Sequence, residues 1–280
     1  MSKPRPTVSF EFFPPKTDKG RAQLIQTAKE LAALNPAFMT VTYGAGGSTR
    51  QWTMEAAMQI QQETGIPTAA HLTCVNTFKG GIHDMAQELW AGGIRHIVAL
   101  RGDIPKADAP LNYGDPNYYH YANELVAGLK TLHDFEISVA AYPEKHPEAP
   151  DLATDIANLK RKCDAGATRA ITQFFFENKT FFNFVEQARA AGITTPIVPG
   201  VLPISNFEKM LQFAKTCGAN VPGWLHDIFA EAEDPYRAAE EILITQVQGL
   251  AARGVPHIHF YTLNRADLTT TACHSLGIKS

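Results

Sequence analysis

The sequence lacks a long apolar run, a basic excess and any clustered cysteine chemistry, and each absence removes a class of function. A membrane-spanning helix needs about 20 consecutive apolar residues, and no segment reaches that length. Lys and Arg together number 25 against 28 Asp and Glu, a formal net charge of −3. Nucleic-acid proteins carry a basic excess or stripe, so neither nucleic acid nor membrane is an expected partner. The four cysteines, Cys74, Cys163, Cys217 and Cys273, are scattered, and the opening Met-Ser-Lys-Pro-Arg-Pro has no signal-peptide character. Both features predict reduced thiols in a cytoplasmic protein. Metal is not expected either. His-Glu-x-x-His and Cys-x-x-Cys are both missing, and His71-x-x-Cys74 and Cys273-His274 are isolated pairs, whereas zinc takes three or four ligands.

What is present is a hydrophobic fraction of 45% with only 19% charged residues, enough for a large core and unlike a disordered chain. Hydrophobic periodicity alternates between that of strands and that of helices. Strand-like runs fall at Val8–Phe13, Phe38–Tyr43, Thr68–Leu72, His96–Leu100, Ile137–Ala141, Ala170–Phe174, Ile197–Pro199 and Ile258–Tyr261. Helical runs follow at Lys19–Leu34, Gln51–Glu63, Ile82–Ala91, Tyr119–Leu132, Asp151–Asp164, Lys179–Ala191, Asn206–Lys215, 222–253 in two pieces, and Arg265–Leu276. Glycines 65, 92, 93, 166, 192 and 254 stand just before strands, where helix C-caps belong. Eight βα units predict a parallel (β/α)8 TIM barrel occupying 1–280 as one catalytic domain. An open doubly wound sheet is the alternative, but it would hold a nucleotide on a glycine-rich turn after the first strand, and Pro14-Pro15 stands there.

Such a barrel carries its chemistry at the C-terminal ends of the strands. The polar residues at those ends are Glu11, Thr42, Tyr43, His71, Arg101-Gly102-Asp103, Tyr142, His146, Gln173, Tyr261 and Arg265. Glu11 is the least ordinary. Period-two alternation puts Ser9, Glu11 and Phe13 on one face of its strand and Phe10 and Phe12 on the other. The phenylalanines then suit packing against outer helices, and Glu11 points into the barrel mouth, where burial would raise its pKa. The bland alternative is a structural ion pair with Arg101 or Arg265. On helix Asp151–Asp164, residues Asp155, Asn158 and Lys162, with Arg161 beside them, could hold a ribose and a pyrophosphate, or could simply be a solvated face. His257 and His259 alternate on the last strand and read as core or rim residues.

Six ordered blocks resemble the methylenetetrahydrofolate reductase family: Ser9–Lys16, Val41–Ser48, Ala99–Asp103, Ala141–Glu148, Ile171–Phe176 and Phe260–Arg265. The resemblance runs over nearly the whole chain and implies the same barrel. It implies FAD as cofactor, NADH or NADPH and 5,10-methylenetetrahydrofolate as successive substrates in a ping-pong sequence, and 5-methyltetrahydrofolate as product, a methyl source for methionine synthesis. By resemblance, Glu11 is the general acid that opens the folate ring, and Asp103 lies near both flavin and pterin. Thr42, Tyr43, Ala45, His71, Arg101 and Gly102 match FAD-contacting positions, as do Tyr121, Ala122, Tyr142, His146, Asp155, Asn158, Arg161 and Lys162. Gln173, Phe213, Tyr261 and Arg265 match substrate-side positions. Two features depart from the family pattern: Lys209 stands where a folate-contacting Gln is expected, and loop Ile104–Asn117 is long. The resemblance also implies a homo-oligomer without the regulatory domain of eukaryotic members. A different FAD barrel, such as a proline dehydrogenase, and a non-catalytic folate-binding barrel remain the competing readings.

Overall fold

A computed structural model describes residues 5–43, 50–103 and 115–279. The elements alternate as the periodicity predicts. Strands β1 (Thr7–Phe12), β2 (Phe38–Val41), β3 (Thr68–Thr73) and β4 (His96–Leu100) are each followed by a helix: α1 (Asp18–Ala32), α2 (Arg50–Thr64), α3 (Lys79–Ala91) and α4 (Ala122–Leu132). Strands β5 (Glu136–Ala141) and β6 (Arg169–Thr172) are followed by α5 (Leu152–Asp164) and α6 (Asn178–Ala190). Then come β7 (Ile197–Val198), β8 (Gly200–Val201), α7 (Phe207–Cys217), α8 (Gly223–Glu231), α9 (Pro235–Ala252), β9 (His257–Tyr261) and α10 (Asp267–Ser275).

All strand pairings are parallel, in the order β7-β6-β5-β4-β3-β2-β1-β9-β8. The described residues therefore give nine strands where eight are expected, and the reason is local. Pro199 has no N–H for a ladder bond, so it splits the seventh strand. Its first half pairs with β6 and its second with β9, and this one segment closes the (β/α)8 barrel. Closure is tight: a Cβ on Gly200 would lie 2.2 Å from the Thr172 carbonyl oxygen. Helix α4 also begins later than periodicity suggests. Tyr119 is instead tucked in by a 2.8 Å hydrogen bond between its hydroxyl and His83 Nε2. No helix among the described residues is long and apolar enough to cross a membrane.

Phe10 and Phe12 on β1 face outward and are fully buried under the helices. Each contributes on the order of 2–3 kcal/mol of burial. The interior of the barrel is different. Barrels of this class normally fill their axis with branched aliphatics in layers drawn from alternate strands. Here the layer at the N-terminal end is Phe38, His96, Arg169 and His257, from β2, β4, β6 and β9. Phe38 stacks on His257 at 5.5 Å, meets His96 edge-on at 4.8 Å and carries the Arg169 guanidinium 4.6 Å from its centroid. Above it, Ser9, Ser138, Thr40, His71 and His259 are all buried polar groups. Each has a partner, as buried polar groups require; His96 Nε2, for example, sits 2.7 Å from Ser138 Oγ.

Two of these imidazoles couple stability to pH. Burial, the Arg169 charge and the neighbouring His71 and His259 hold His96 well below the usual histidine range. Burial, His259 and Arg169 press His257 down to about 3. Both folded-state values lie below the unfolded one, so between them the unfolded chain binds more protons. Stability is then complete above about pH 6.5 and falls as the solution is acidified. His257 should cost about 1.4 kcal/mol per pH unit, so thermal melts at pH 5 should report a loss of about 2 kcal/mol from this ring relative to pH 7.5, with His96 acting in the same direction. His257→Phe should remove its share of that acid slope; an unchanged slope would mean that this ring is already charged in the fold.

Candidate active site

Glu11 sits near the C-terminal end of β1, opposite Thr40 on β2 and Tyr261 on β9 in the parallel register. Alternation turns it inward, and its side chain is only 12% exposed. Its Oε2 lies 3.2 Å from His71 Nε2, 3.3 Å from His259 Nε2 and 3.4 Å from Thr40 Oγ1. Neither arginine weighed as an ion-pair partner reaches it: Arg101 pairs with Glu148 at 2.7 Å and Arg265 with Asp267 at 2.6 Å. The expectation of a raised pKa is also overturned. Burial does push the carboxyl up, but the His71 charge and hydrogen bonds from His259 and His71 outweigh it and hold Glu11 at about 2. In the protein alone Glu11 is a carboxylate gripped by two imidazoles.

A cavity of about 520 Å3 opens at the strand C-termini, and Glu11 is not among the residues that line it. Tyr43, Arg101, Gly102, Asp103, Ala122, Tyr142, His146, Lys162, Gln173 and Phe213 line it, ten of the positions expected from the resemblance. Gly102 must be glycine: its φ is +88°, and a Cβ would come within 2.7 Å of Val75 Cγ1. Lys162 crosses from α5 to donate to the Ala140 carbonyl at 2.6 Å. Burial lowers its pKa to about 8, with Asp155 pulling the other way. Tyr142 meets His146 edge-on at 4.7 Å. Its phenol is pushed above the usual range by burial and by the charges of Asp155 and Asp103. Phe213 stacks on Phe174 at 5.3 Å.

The remaining expected residues lie elsewhere. Asp155 is buried and accepts the His146 backbone N–H at 2.9 Å, so it shapes the β5–α5 loop from behind the cavity wall. His71 is turned to Glu11, as above. The Thr42 carbonyl accepts from Thr53 Oγ1 at 2.9 Å, and Tyr121 is the exposed N-cap of α4. Asn158 is half-buried and absent from the cavity lining, and Arg161 is exposed on α5. Arg161 and Lys162 therefore do not share a face: successive helical residues point about 100° apart. Tyr261 donates to the Thr172 carbonyl at 2.7 Å and braces β9 against β6. Lys209 is exposed in the first turn of α7, and Arg265, tied to Asp267, borders a separate small cleft. Ala45 lies outside the described residues, as does most of loop Ile104–Asn117.

The sequence reading missed Glu148, Thr216 and Cys217 on the cavity wall, and Ser9, Thr40 and His259 around Glu11. A signal for His259 was available. It has the same parity as Tyr261 on β9, so an inward Tyr261 requires an inward His259. Among the described residues no three His, Cys, Asp or Glu side chains are placed to hold a metal ion.

Comparison with known proteins bears on the fold and the family. Among solved structures, an uncharacterised protein from Clostridium thermocellum, described as binding two copies of 5-methyl-5,6,7,8-tetrahydrofolic acid, superposes with a TM-score of 0.65 at 14% identity, covering 98% of this chain and 94% of its own. Yersinia pestis DHPS, solved with a pterine–sulfa conjugate, gives a TM-score of 0.53 at 13% identity over 98% and 92% of the two chains. At these identities the likeness shows the barrel alone. Sequence relatives are much nearer. The 5,10-methylenetetrahydrofolate reductase of Pectobacterium carotovorum is 44% identical over 98% of this chain and 91% of its own length. That of Escherichia coli K12 is 43% identical over 97% and 91%. The family model Methylenetetrahydrofolate reductase matches residues 1–277, so this chain belongs to the methylenetetrahydrofolate reductase family.

Proposed function

We propose that this chain reduces 5,10-methylenetetrahydrofolate to 5-methyltetrahydrofolate, taking hydride from NADH or NADPH by way of a bound FAD. The observation that carries the reading is a buried strand-β1 carboxyl, Glu11, in a barrel whose strand C-termini hold a cavity with both Lys162 and Asp103 on its wall. The donor set fits a flavin dinucleotide. The Lys162 ammonium gives one N–H to Ala140, leaving two for a pyrophosphate oxygen, and His146 lies on the same wall. Tyr142 and Phe213 offer aromatic surface for a ring system.

When bound, FAD would supply the hydride acceptor and donor. The chain does the rest. Asp103 offers a negative charge where a cationic folate ring would develop. Glu11 gives that ring the proton that opens it. Since Glu11 is ionised in the protein alone, it must first take up a proton, and His259 Nε2 at 3.3 Å is positioned to pass one. An apolar ring system laid over the mouth favours that uptake, because desolvation disfavours the carboxylate.

The test is anaerobic. The yellow protein should bleach with NADH and regain its colour on addition of methylenetetrahydrofolate, and a protein purified without flavin, or one that stays bleached, would sink the reading. The two cations of α5 should separate in the same preparation. Lys162→Met should lose flavin on dilution, by at least about tenfold in affinity, because a charge-assisted contact to phosphate is worth roughly 1.5–3 kcal/mol. Arg161→Ala should retain it. Equal retention in both variants would place the pyrophosphate elsewhere.

A further inference from the structure

Glu11 ends a chain of hydrogen bonds that traverses the barrel. On its far side the chain starts at Thr7, which is exposed at the N-terminal face. Thr7 Oγ1 lies 2.6 Å from His257 Nδ1, and His257 Nε2 lies 2.8 Å from Ser9 Oγ. Ser9 Oγ lies 2.7 Å from His259 Nδ1, and His259 Nε2 reaches Glu11. The register explains this ladder: Thr7 stands opposite His257, Ser9 opposite His259 and Glu11 opposite Tyr261 on the adjacent parallel strand. Alternation aims Ser9, Glu11 and the two histidines into the axis.

We propose that the proton used by Glu11 enters at the N-terminal face of the barrel, through Thr7 and His257, opposite the mouth where substrate binds. The proposal rests on the reductase reading only for the use to which the proton is put. The route needs neutral imidazoles, each donating from one nitrogen and accepting at the other. His257 satisfies this, being buried, close to Arg169 and pressed far below neutral pH. With both rings carrying their proton on Nε2, every link holds one proton directed toward Glu11. Thr7 donates to His257, His257 to Ser9, Ser9 to His259, and His259 to the carboxylate.

When Glu11 has given its proton to substrate, one proton shifts along each link. His259 Nε2–H goes to Glu11, Ser9 O–H to His259 Nδ1, His257 Nε2–H to Ser9, and Thr7 O–H to His257 Nδ1. Thr7 takes a replacement from water. One proton enters from solvent, one leaves on the product, and no ring acquires net charge. The benefit is geometric: while flavin and folate cover the mouth, Glu11 can be recharged from behind.

The decisive measurement does not depend on folate turnover. With 15N-labelled histidine, the His259 Nε2 proton can be followed by NMR as it exchanges with water. In the parent both His257 and His259 should be Nε2–H tautomers. His257→Phe keeps a ring to stack on Phe38 and cuts the route, so exchange at His259 should slow by at least about tenfold. Thr7→Val, at an exposed position, should slow it in the same direction if the first variant folds poorly. His257→Ala with added imidazole should recover the exchange. In stopped flow, His257→Phe should slow the folate step and leave bleaching by NADH unchanged. Exchange at His259 unaffected by either His257→Phe or Thr7→Val would overturn the proposal, because protons would then be arriving from the mouth. If exchange depends on His257 but the parent does not turn over folate, the route stands and the substrate assignment fails.

Discussion

Glu11→Gln should bind flavin normally, bleach with NADH at close to the parental rate, and lose at least about a hundredfold in the folate step. The size follows from the role. General acid catalysis is worth roughly 10²–10⁴, and an amide has no proton to give. The asymmetry follows from the chemistry: only ring opening consumes an acid. The structure makes this a clean substitution. Both imidazoles that contact the carboxylate, His71 and His259, can donate to an amide oxygen or, in the other tautomer, accept from its N–H. The variant should therefore keep the fold, with a melting temperature below the parent's because the charge that both imidazoles stabilise is gone. Loss of both half-reactions together would mark Glu11 as a structural member of the barrel interior; folate turnover within about tenfold of the parent would remove it from the mechanism.

Asp103→Asn should also divide the two half-reactions. Asp103 lines the cavity, and its charge is felt by Tyr142 and by Cys217. Asparagine preserves its shape and removes only the charge. If Asp103 stabilises a cationic folate, the folate step should fall by roughly 10²–10³, the usual cost of losing one preorganised electrostatic partner. Bleaching by NADH, which develops no such cation, should be retained or slightly faster. A second reading is independent of turnover. Since Asp103 helps to push the Tyr142 phenol up, Asp103→Asn should bring that phenol's titration to lower pH, detectable by its ultraviolet absorbance. Unchanged rates with an unchanged Tyr142 would mean that Asp103 points away from the cavity.

Periodicity alone made most of the architecture legible, because each βα unit is a local decision. Every expected strand is present, with ends displaced by a residue or two. The seventh differs because a single proline interrupts its ladder while tertiary closure keeps both halves in place. The site was legible unevenly. Strand-end residues such as Arg101 and Tyr142 follow from the barrel's polarity and do reach the cavity. The environment of Glu11 was not read, because its partners lie 29, 60 and 248 positions away and meet only through inter-strand register. Burial argued for a raised pKa, and two histidines reversed it. On α5, Arg161 and Lys162 are neighbours in sequence, but the helix leaves Arg161 exposed and turns Lys162 inward to the Ala140 carbonyl.

The polar axis of this barrel also governs how its sequence is free to drift. In an aliphatic interior each position can be exchanged for another of similar volume with only local repacking. Here Ser9 serves two histidines, His96 depends on Ser138, and Glu11 depends on His71. A lone replacement strands its partner, and an unsatisfied buried group costs about 1–3 kcal/mol. Substitutions along the axis are therefore expected to be tolerated only in matched sets, whereas single changes should be tolerated on the outer helices and surface loops.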